Sequence, residues 1–300
     1  MSEYLISTCS TIDCEEAFIK DNQLNVLNYT FTIEGKEYKD DYGESYPLDN
    51  FYQAISQGAM PTTSQINYVR YYNYFEAMLK KGFNILHISM SSGITGSVNN
   101  AILAAKDLND KYSKDHLMVK IVDSLGVSGG QAMLVKRACD LKNEGLSFEE
   151  LFTYLENNKL NIHHWFYTMD LTQLIRGGRL SKTAGLIAGA FNVCPFMMVN
   201  KEGKLQPIKK CLGKKKAALE AIKMMNKFAI GGKDYDGEVY INHSACLDDA
   251  ETLKKLVIKN FPNVKEVYIR SIGTVIGSHT GKGTVAIFFD GGYKRSAKNV

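Results

Sequence analysis

Short apolar runs that end in loops rich in glycine, serine and threonine recur along the first half of the chain. Each is followed by apolar residues at helical spacing, and this alternation predicts an α/β fold built on a parallel sheet. Strands are predicted at residues 4–8, 84–90 and 118–122, and helices at residues 98–108, 131–142 and 148–157. Asp13 stands where it would cap the helix that follows the first strand.

The pattern changes after the helix at 148–157, so we place a domain boundary near Leu160 and predict domains at 1–160 and 161–300. A chain of 300 residues also exceeds one comfortable core. In the second half, the hairpin at 195–199 and 205–211 predicts a mixed sheet. Further strands are predicted there at 165–169, 238–243, 264–269 and 284–289. A short helix is predicted to end at 175, and longer helices are predicted at 182–191, 214–228 and 248–260.

The amino-acid composition limits the classes of function that this chain can have. The net charge of +4 is weak, and the lysines are spread thinly apart from Lys209-Lys210 and 214–216, so no nucleic-acid partner is expected. The six cysteines form no CxxC pair. With no targeting segment and no apolar run of membrane-spanning length, a reducing cytoplasm is the expected location.

Three segments carry the chemistry of an anion site: 61–65 (PTTSQ), 91–97 (SSGITGS) and 276–283 (IGSHTGKG). Hydroxyls and free backbone amides at helix N-termini suit a phosphate or a carboxylate, and glycines let a ligand approach the backbone. Any single segment is equally well explained as an ordinary cap or turn. The presence of three such segments in one chain favours a binding site.

Most histidines are expected to be structural. His87 lies within a strand and is predicted to be core, and His163 and His164 have no partner at metal-ligand spacing. His279 differs because Gly277 and Gly281 flank it in a predicted loop. No nucleotide-binding fingerprint, nucleophile elbow or pair of acids is found, so we expect no cofactor, no metal and no catalysis by this chain alone.

Taken in order along the chain, these segments resemble the DegV family, the fatty-acid-binding proteins that serve a bacterial fatty acid kinase. The resemblance spans nearly the whole chain. It rests on the segments at 10–13 (STID), 61–65, 88–97, 122–124 (VDS) with 128–131 (SGGQ), 176–181 (RGGRLS) and 276–283.

The resemblance implies a two-domain protein, with an N-terminal three-layer α/β/α domain on a parallel sheet and a C-terminal two-layer α/β domain on a mixed sheet. A single long-chain fatty acid would lie in an interior tunnel between them. The hydroxyls of Thr63 and Thr95 are the implied carboxylate contacts. The implied supporting polar residues are Ser92, Arg179, His279 and Thr280.

By the same resemblance, the chain presents the carboxylate to a fatty acid kinase for phosphorylation by ATP. It then holds the acyl-phosphate until an acyltransferase collects it, with transient contact to a membrane surface. The sequence departs from the family at four positions. Thr95 replaces a usual serine, Cys9 an aspartate, Leu212 an arginine that could serve partner contact, and Lys282 a frequent proline.

Two alternatives stay open at this point. One is an enzyme, a hydrolase or transferase that acts on a small anionic substrate through Ser92 or His279. The other is a binding module for a different anionic lipid or metabolite.

Overall fold

The computed structural model describes residues 3–181 and 192–296, so the helix predicted at 182–191 lies outside the described residues. The strands, in chain order, are β1 Tyr4–Cys9, β2 Asn25–Leu27, β3 Thr30–Ile33, β4 Lys36–Lys39, β5 Thr62–Ser64, β6 Asn84–Ser89, β7 Val119–Asp123, β8 Ile162–Tyr167, β9 Val193–Val199, β10 Leu205–Leu212, β11 Glu238–His243, β12 Glu266–Ser271 and β13 Val285–Asp290.

The helices are α1 Glu16–Asp21, α2 Leu48–Ser56, α3 Tyr68–Leu79, α4 Ser97–Lys111, α5 Gly129–Asn143, α6 Phe148–Asn158, α7 Thr172–Arg176, α8 Gly213–Phe228, α9 Leu247–Asn260 and α10 Thr274–Thr280. A capping box of Ser147 and Glu150 starts α6.

Three sheets organise the described chain. The first is parallel throughout, with strand order β2-β1-β6-β7. The second has the order β10-β9-β8-β13-β11-β12 and is mixed, because only β11 and β12 run parallel. A small antiparallel sheet, β4-β3-β5, completes the set. The predicted fold class, a parallel N-terminal sheet and a mixed C-terminal sheet, is confirmed.

Helix α5 joins the two large sheets. It packs on β1 of the parallel sheet and on β8, β11 and β13 of the mixed sheet. Its first residues are Gly129 and Gly130, where a Cβ would lie 2.4 Å from Asn242 Oδ1 and 2.0 Å from His164 Nε2. Glycine therefore allows the helix to approach the mixed sheet this closely. Helices α3 and α4 cover the outer face of the parallel sheet, and α8 and α9 that of the mixed sheet.

One apolar core runs through both halves of the chain. It contains Ile6 and Leu86 from the parallel sheet, Val135 from α5, and Phe166 and Phe288 from the mixed sheet. The 3₁₀ turn Lys159–Asn161 connects α6 to β8 at the place where we put the domain boundary. That boundary stays a proposal.

Several details differ from the sequence-based expectations. The small sheet and α2 were not anticipated, and β5 occupies part of the predicted 61–65 loop. Most of the predicted loop at 276–283 is helix α10. The strand expected at 165–169 begins at Ile162 and ends at Tyr167. Strand β3 pairs with β5 across the intervening α2, and the local sequence pattern does not reveal this pairing.

The sequence suggested that Asp13 would cap α1. In the structure, Asp13 instead holds the start of α10. Its Oδ1 accepts a hydrogen bond from the Gly273 amide at 2.9 Å. Asp40 Oδ1 accepts from the Thr274 amide at 3.2 Å, the Thr274 hydroxyl at 2.6 Å and the Val275 amide at 3.4 Å. Both aspartates are buried. Two carboxyl groups from the N-terminal half thus satisfy amides at the start of this helix, which would otherwise lack partners.

Replacing Asp40 by alanine should lower the free energy of unfolding by about 1–3 kcal/mol, because buried donors at Thr274 and Val275 would lose their acceptor. Urea denaturation of the two proteins measures the difference. The exposed Asp21, replaced in the same way, is the control. An equal change in both variants would contradict this account of the α10 anchor.

Candidate functional site

A largely apolar cavity of about 320 Å³ lies where the small sheet, α10 and the mixed sheet meet. Its volume is within the roughly 300–1,000 Å³ that small-molecule sites usually occupy. The apolar lining consists of Met90, Ile94, Val127, Phe166, Leu174, Val199, Leu205, Ile272, Val275, Ile276, Ala286 and Phe288. The polar lining includes Thr63, Thr95, Arg179, His279 and Thr280. The cavity therefore combines a long apolar wall with a few polar groups.

Thr63 reaches the cavity from the middle of β5. The strand pairs with β3, where Thr63 lies opposite the buried Phe31. Its hydroxyl is 2.8 Å from His279 Nε2, which fixes the side chain against α10. Side chains alternate along a strand, so its neighbour Thr62 points to the other face and does not line the cavity.

Thr95 lies in the turn between β6 and α4. Its amide donates to the Ser91 carbonyl, and its Oγ1 accepts from the Ser97 amide at 3.2 Å. The Ser97 hydroxyl in turn accepts from the Ile66 amide at 3.1 Å. These bonds connect the turn to the chain just after β5, so both predicted threonines line one cavity.

His279 occupies the last turn of α10. Its Nδ1 side packs against Gly177, where a Cβ would lie 2.4 Å from the ring nitrogen. Burial lowers the pKa of His279 to about 4, and the positive charges of Arg179 and Arg176 contribute. The imidazole is therefore neutral at physiological pH, and it can donate or accept one hydrogen bond at Thr63 without adding charge.

Arg179 brings the only cationic group among the residues that the structure shows lining the cavity. Its Nε donates to the Ile94 carbonyl at 3.2 Å, and Nη1 donates to the Gly177 carbonyl. Burial lowers the pKa of the guanidinium, but an arginine stays charged at neutral pH. The cavity therefore favours an anionic group near Arg179.

Two of the predicted supporting residues differ in position. Thr280 lines the cavity, and its hydroxyl donates to the Ile276 carbonyl at 3.2 Å. Ser92 is exposed and is absent from the cavity lining, and its amide donates to Asp123 Oδ1. The turn directs Ser92 outward while it directs Thr95 inward. Ser92 and His279, paired in the enzyme alternative, are therefore not brought together at the cavity.

The other histidines have the structural roles that the sequence suggested. His87 Nδ1 is 2.7 Å from the Ser7 hydroxyl in the core. His163 and His164 contact the carbonyls of Tyr293 and Ile162. His164 also lines the cavity, and burial lowers its pKa well below the ordinary value, so it adds no charge there.

Sequence reasoning missed Tyr29, which lines the cavity just before β3. Tyr29, Phe31 and Ile33 are buried at every second position. This alternation indicates a buried strand face, but it does not separate a core tyrosine from one beside a cavity.

Within the described ranges, no group of three or more His, Cys, Asp or Glu is arranged to hold a metal ion. The six cysteines are unpaired, and none of the helices in those ranges is long and apolar enough to cross a membrane. Cys9, a departure from the family pattern, is fully buried and burial raises the pKa of its thiol.

The fold and the cavity define an α/β protein with a largely apolar cavity that hydroxyls and one guanidinium of the described residues also line. The sequence model of a protein family described as "Uncharacterised protein, DegV family" matches residues 4–291, so the chain belongs to the DegV family. A DegV domain-containing protein of Clostridium perfringens is 35% identical over 98% of this chain and 99% of its own length.

Solved structures show the same fold. A fatty-acid-binding DegV family protein from Thermus thermophilus has a TM-score of 0.85 at 26% identity, over 97% of this chain and 100% of that protein. The fatty acid kinase B3 protein of Streptococcus pneumoniae, loaded with linoleic acid, has a TM-score of 0.82 over 96% of this chain and 99% of that protein. At 20% identity, it shows the shared fold alone.

His279 should not titrate between about pH 5.5 and 8, because its folded pKa of about 4 lies below the unfolded value of about 6.5. The folded state then binds fewer protons, so the contribution of this residue to stability is lost as pH falls from 6.5 toward 4. NMR of the imidazole, assigned with His279→Asn, measures the pKa. Arg179→Gln should raise that pKa by removing a positive charge, and a wild-type midpoint near 6.5 would contradict a buried neutral ring.

Proposed function

We propose that this protein binds one long-chain fatty acid, with the acyl chain in the cavity and the carboxylate at Thr63 and Thr95. The observation that carries the proposal is the cavity itself, an apolar wall with hydroxyls and one guanidinium at its polar part. The fatty acid binding of the Thermus thermophilus relative supports it.

The tail supplies most of the binding energy. Burial of about fourteen methylenes contributes on the order of 11 kcal/mol before the costs of ordering, at about 0.8 kcal/mol each. Phe166, Phe288 and Val275 are among the side chains that would cover the acyl chain. The carboxylate must receive hydrogen bonds from the protein when it leaves water, because an unpaired buried charge would offset much of this binding energy.

The threonines supply donors without adding a second charge. A neutral His279 with its proton on Nε2 would donate to Thr63 Oγ1, which leaves the threonine hydrogen for the carboxylate. The Thr95 hydroxyl rotates about its C–O bond and can turn its hydrogen from Ser97 Oγ to the ligand. Arg179 and Thr280 complete the polar surroundings. Ser92, on the outer face of its turn, is not assigned a role in binding.

The protein would act as a carrier subunit, and a partner would provide catalysis. A fatty acid carboxylate is ionised near neutral pH, so its oxygen can attack the γ-phosphorus of ATP without a general base. The bond from that phosphorus to the β–γ bridging oxygen breaks, and ADP leaves. A fatty acid kinase, the partner that the family resemblance implies, would position ATP and magnesium, and an acyltransferase would later take the acyl-phosphate.

We place this activity in the cytoplasm, where ATP is available and where the unpaired cysteines fit a reducing environment. Contact with a membrane surface, if the acyl chain is exchanged there, would be transient. The exposed Leu212, which stands in place of the family arginine, lies at the end of β10 on the surface available to partners.

The threonine assignment is tested by replacing Thr63 or Thr95 with valine in delipidated protein. Each change keeps the shape but removes a donor to a charged acceptor, so palmitate binding should weaken by about 1.5–3 kcal/mol, or about ten- to a hundredfold. Isothermal titration calorimetry measures the affinity. Thr62→Val, on the opposite face of β5, is the matched control and should bind palmitate like the wild type.

Two outcomes distinguish the parts of the proposal. If wild-type protein binds no long-chain fatty acid and carries none through purification, as mass spectrometry of an organic extract would show, lipid binding itself is excluded. Normal binding in both valine variants would instead assign the carboxylate to other residues.

The carrier role predicts no hydrolysis of ATP or of acyl esters by the isolated protein. With a cognate fatty acid kinase and magnesium, ATP turnover should depend on fatty acid. We expect His279→Ala to reduce this turnover more than palmitate affinity, because the imidazole, through Thr63, would orient the carboxylate for its attack on the γ-phosphorus. Coupled ADP release and calorimetry measure the two effects.

Equal losses of turnover and affinity in His279→Ala would restrict the histidine to ligand binding. Sustained turnover of a substrate by the isolated protein, abolished by Ser92→Ala, would support the enzyme alternative over the carrier.

A further inference from the structure

The hydroxyl of Tyr29 is a buried polar group that makes no hydrogen bond of ordinary geometry to the residues that the structure describes. The side chain is 2% exposed, and its oxygen has no hydrogen-bond partner among the residues that the structure describes. A buried hydroxyl without a hydrogen bond costs about 1–3 kcal/mol. Such a group calls for an explanation, and a ligand that accepts its proton is one.

The position of Tyr29 in the cavity wall favours a bound ligand as the missing hydrogen-bond partner. The side chain lines the cavity together with Thr63, Thr95 and Arg179. Of the other buried hydroxyls without a described partner, those of Tyr71, Tyr74 and Ser89 belong to residues that do not line the cavity. The hydroxyl of Ser128, which does line it, lies beside the carboxyl group of Asp13. Among these three tyrosines, only Tyr29 belongs to the cavity wall.

The backbone of Tyr29 is held firmly. Its amide donates to the Ser10 hydroxyl at 3.1 Å, and its carbonyl accepts from the Asp40 amide at 3.0 Å. Asp40 is the residue that anchors α10, so the same aspartate positions Tyr29 and the helix of His279. The backbone that carries this side chain at the cavity wall is therefore fixed through both its amide and its carbonyl.

The electrostatic surroundings suit a donor to an anion. Burial raises the pKa of the Tyr29 phenol, and the nearby hydroxyls of Ser97, Thr95 and Tyr71 only partly oppose this. The phenol is therefore protonated at neutral pH and has a hydrogen to donate. The positive charge of Arg179 is close enough to interact with it.

We propose that Tyr29 is a third carboxylate-binding residue, whose hydroxyl donates a hydrogen bond to the fatty acid carboxylate beside Thr95. This rests on the proposed function, since it names a further donor at the same site. It makes Tyr29 a determinant of selectivity for an ionised headgroup over a neutral one with the same tail.

The test uses Tyr29→Phe in the delipidated full chain, with Tyr74→Phe as the matched control, since the Tyr74 hydroxyl also lacks a described partner and Tyr74 does not line the cavity. Calorimetry with palmitate should show at least tenfold weaker binding for Tyr29→Phe, because a bond to a charged acceptor is lost. Binding of hexadecanol, which has the same chain length and no charge, should change less than threefold. Tyr74→Phe should bind palmitate like the wild type.

Stability separates a ligand role from a structural one. Removal of a buried hydroxyl that has no partner should leave the urea midpoint of the ligand-free protein unchanged or raised in both variants. A lower midpoint for Tyr29→Phe, together with equal weakening of palmitate and hexadecanol, would show that the residue only maintains the cavity and would overturn the proposal.

The failure of this proposal is distinguishable from failure of the proposed function. If the wild type binds palmitate and Tyr29→Phe binds it within twofold, Tyr29 is not a headgroup residue while fatty acid binding stands. If the wild type does not bind palmitate, the underlying function fails first.

Discussion

The arrangement of the site depends on the contact between two buried aspartates and the start of α10. A helix of seven residues is too short to be stable alone, because helix nucleation is costly. Asp13 and Asp40 supply acceptors to the amides at residues 273–275 and so fix the helix from the N-terminal half of the chain. Since His279 is carried by this helix, its contact with Thr63 depends on carboxyl groups more than 230 residues away in sequence.

The cavity lies at the junction of the two halves for a related physical reason. Helix α5 fills the space between the large sheets, and where it begins the sheets and α10 enclose a volume that their own side chains do not fill. Apolar walls there exclude water, and the few polar groups come from β5, the turn after β6, the turn after α7 and α10. A ligand would therefore contact both halves and stabilise their association.

The polar part of the cavity contains few charged groups. Arg179 is the cation among its described residues, His279 is held neutral by burial and by neighbouring arginines, and the other side-chain donors include several hydroxyls and the Gln65 amide. Hydroxyls can satisfy a carboxylate and yet cost little when they are bonded to one another. A site built in this way suits the binding of a ligand that is later released, in keeping with a carrier.

The sequence by itself determined the fold class and singled out Thr63, Thr95, Arg179 and His279, all of which line the cavity. Apolar periodicity specifies elements locally, and hydroxyl-rich segments between them mark a site. The tertiary structure decided which of these residues meet. It turned Ser92 outward, used Asp13 for α10 instead of α1, and brought Tyr29 to the cavity. These outcomes depend on hydrogen bonds and packing between distant segments, and local sequence patterns hold no information on such pairings.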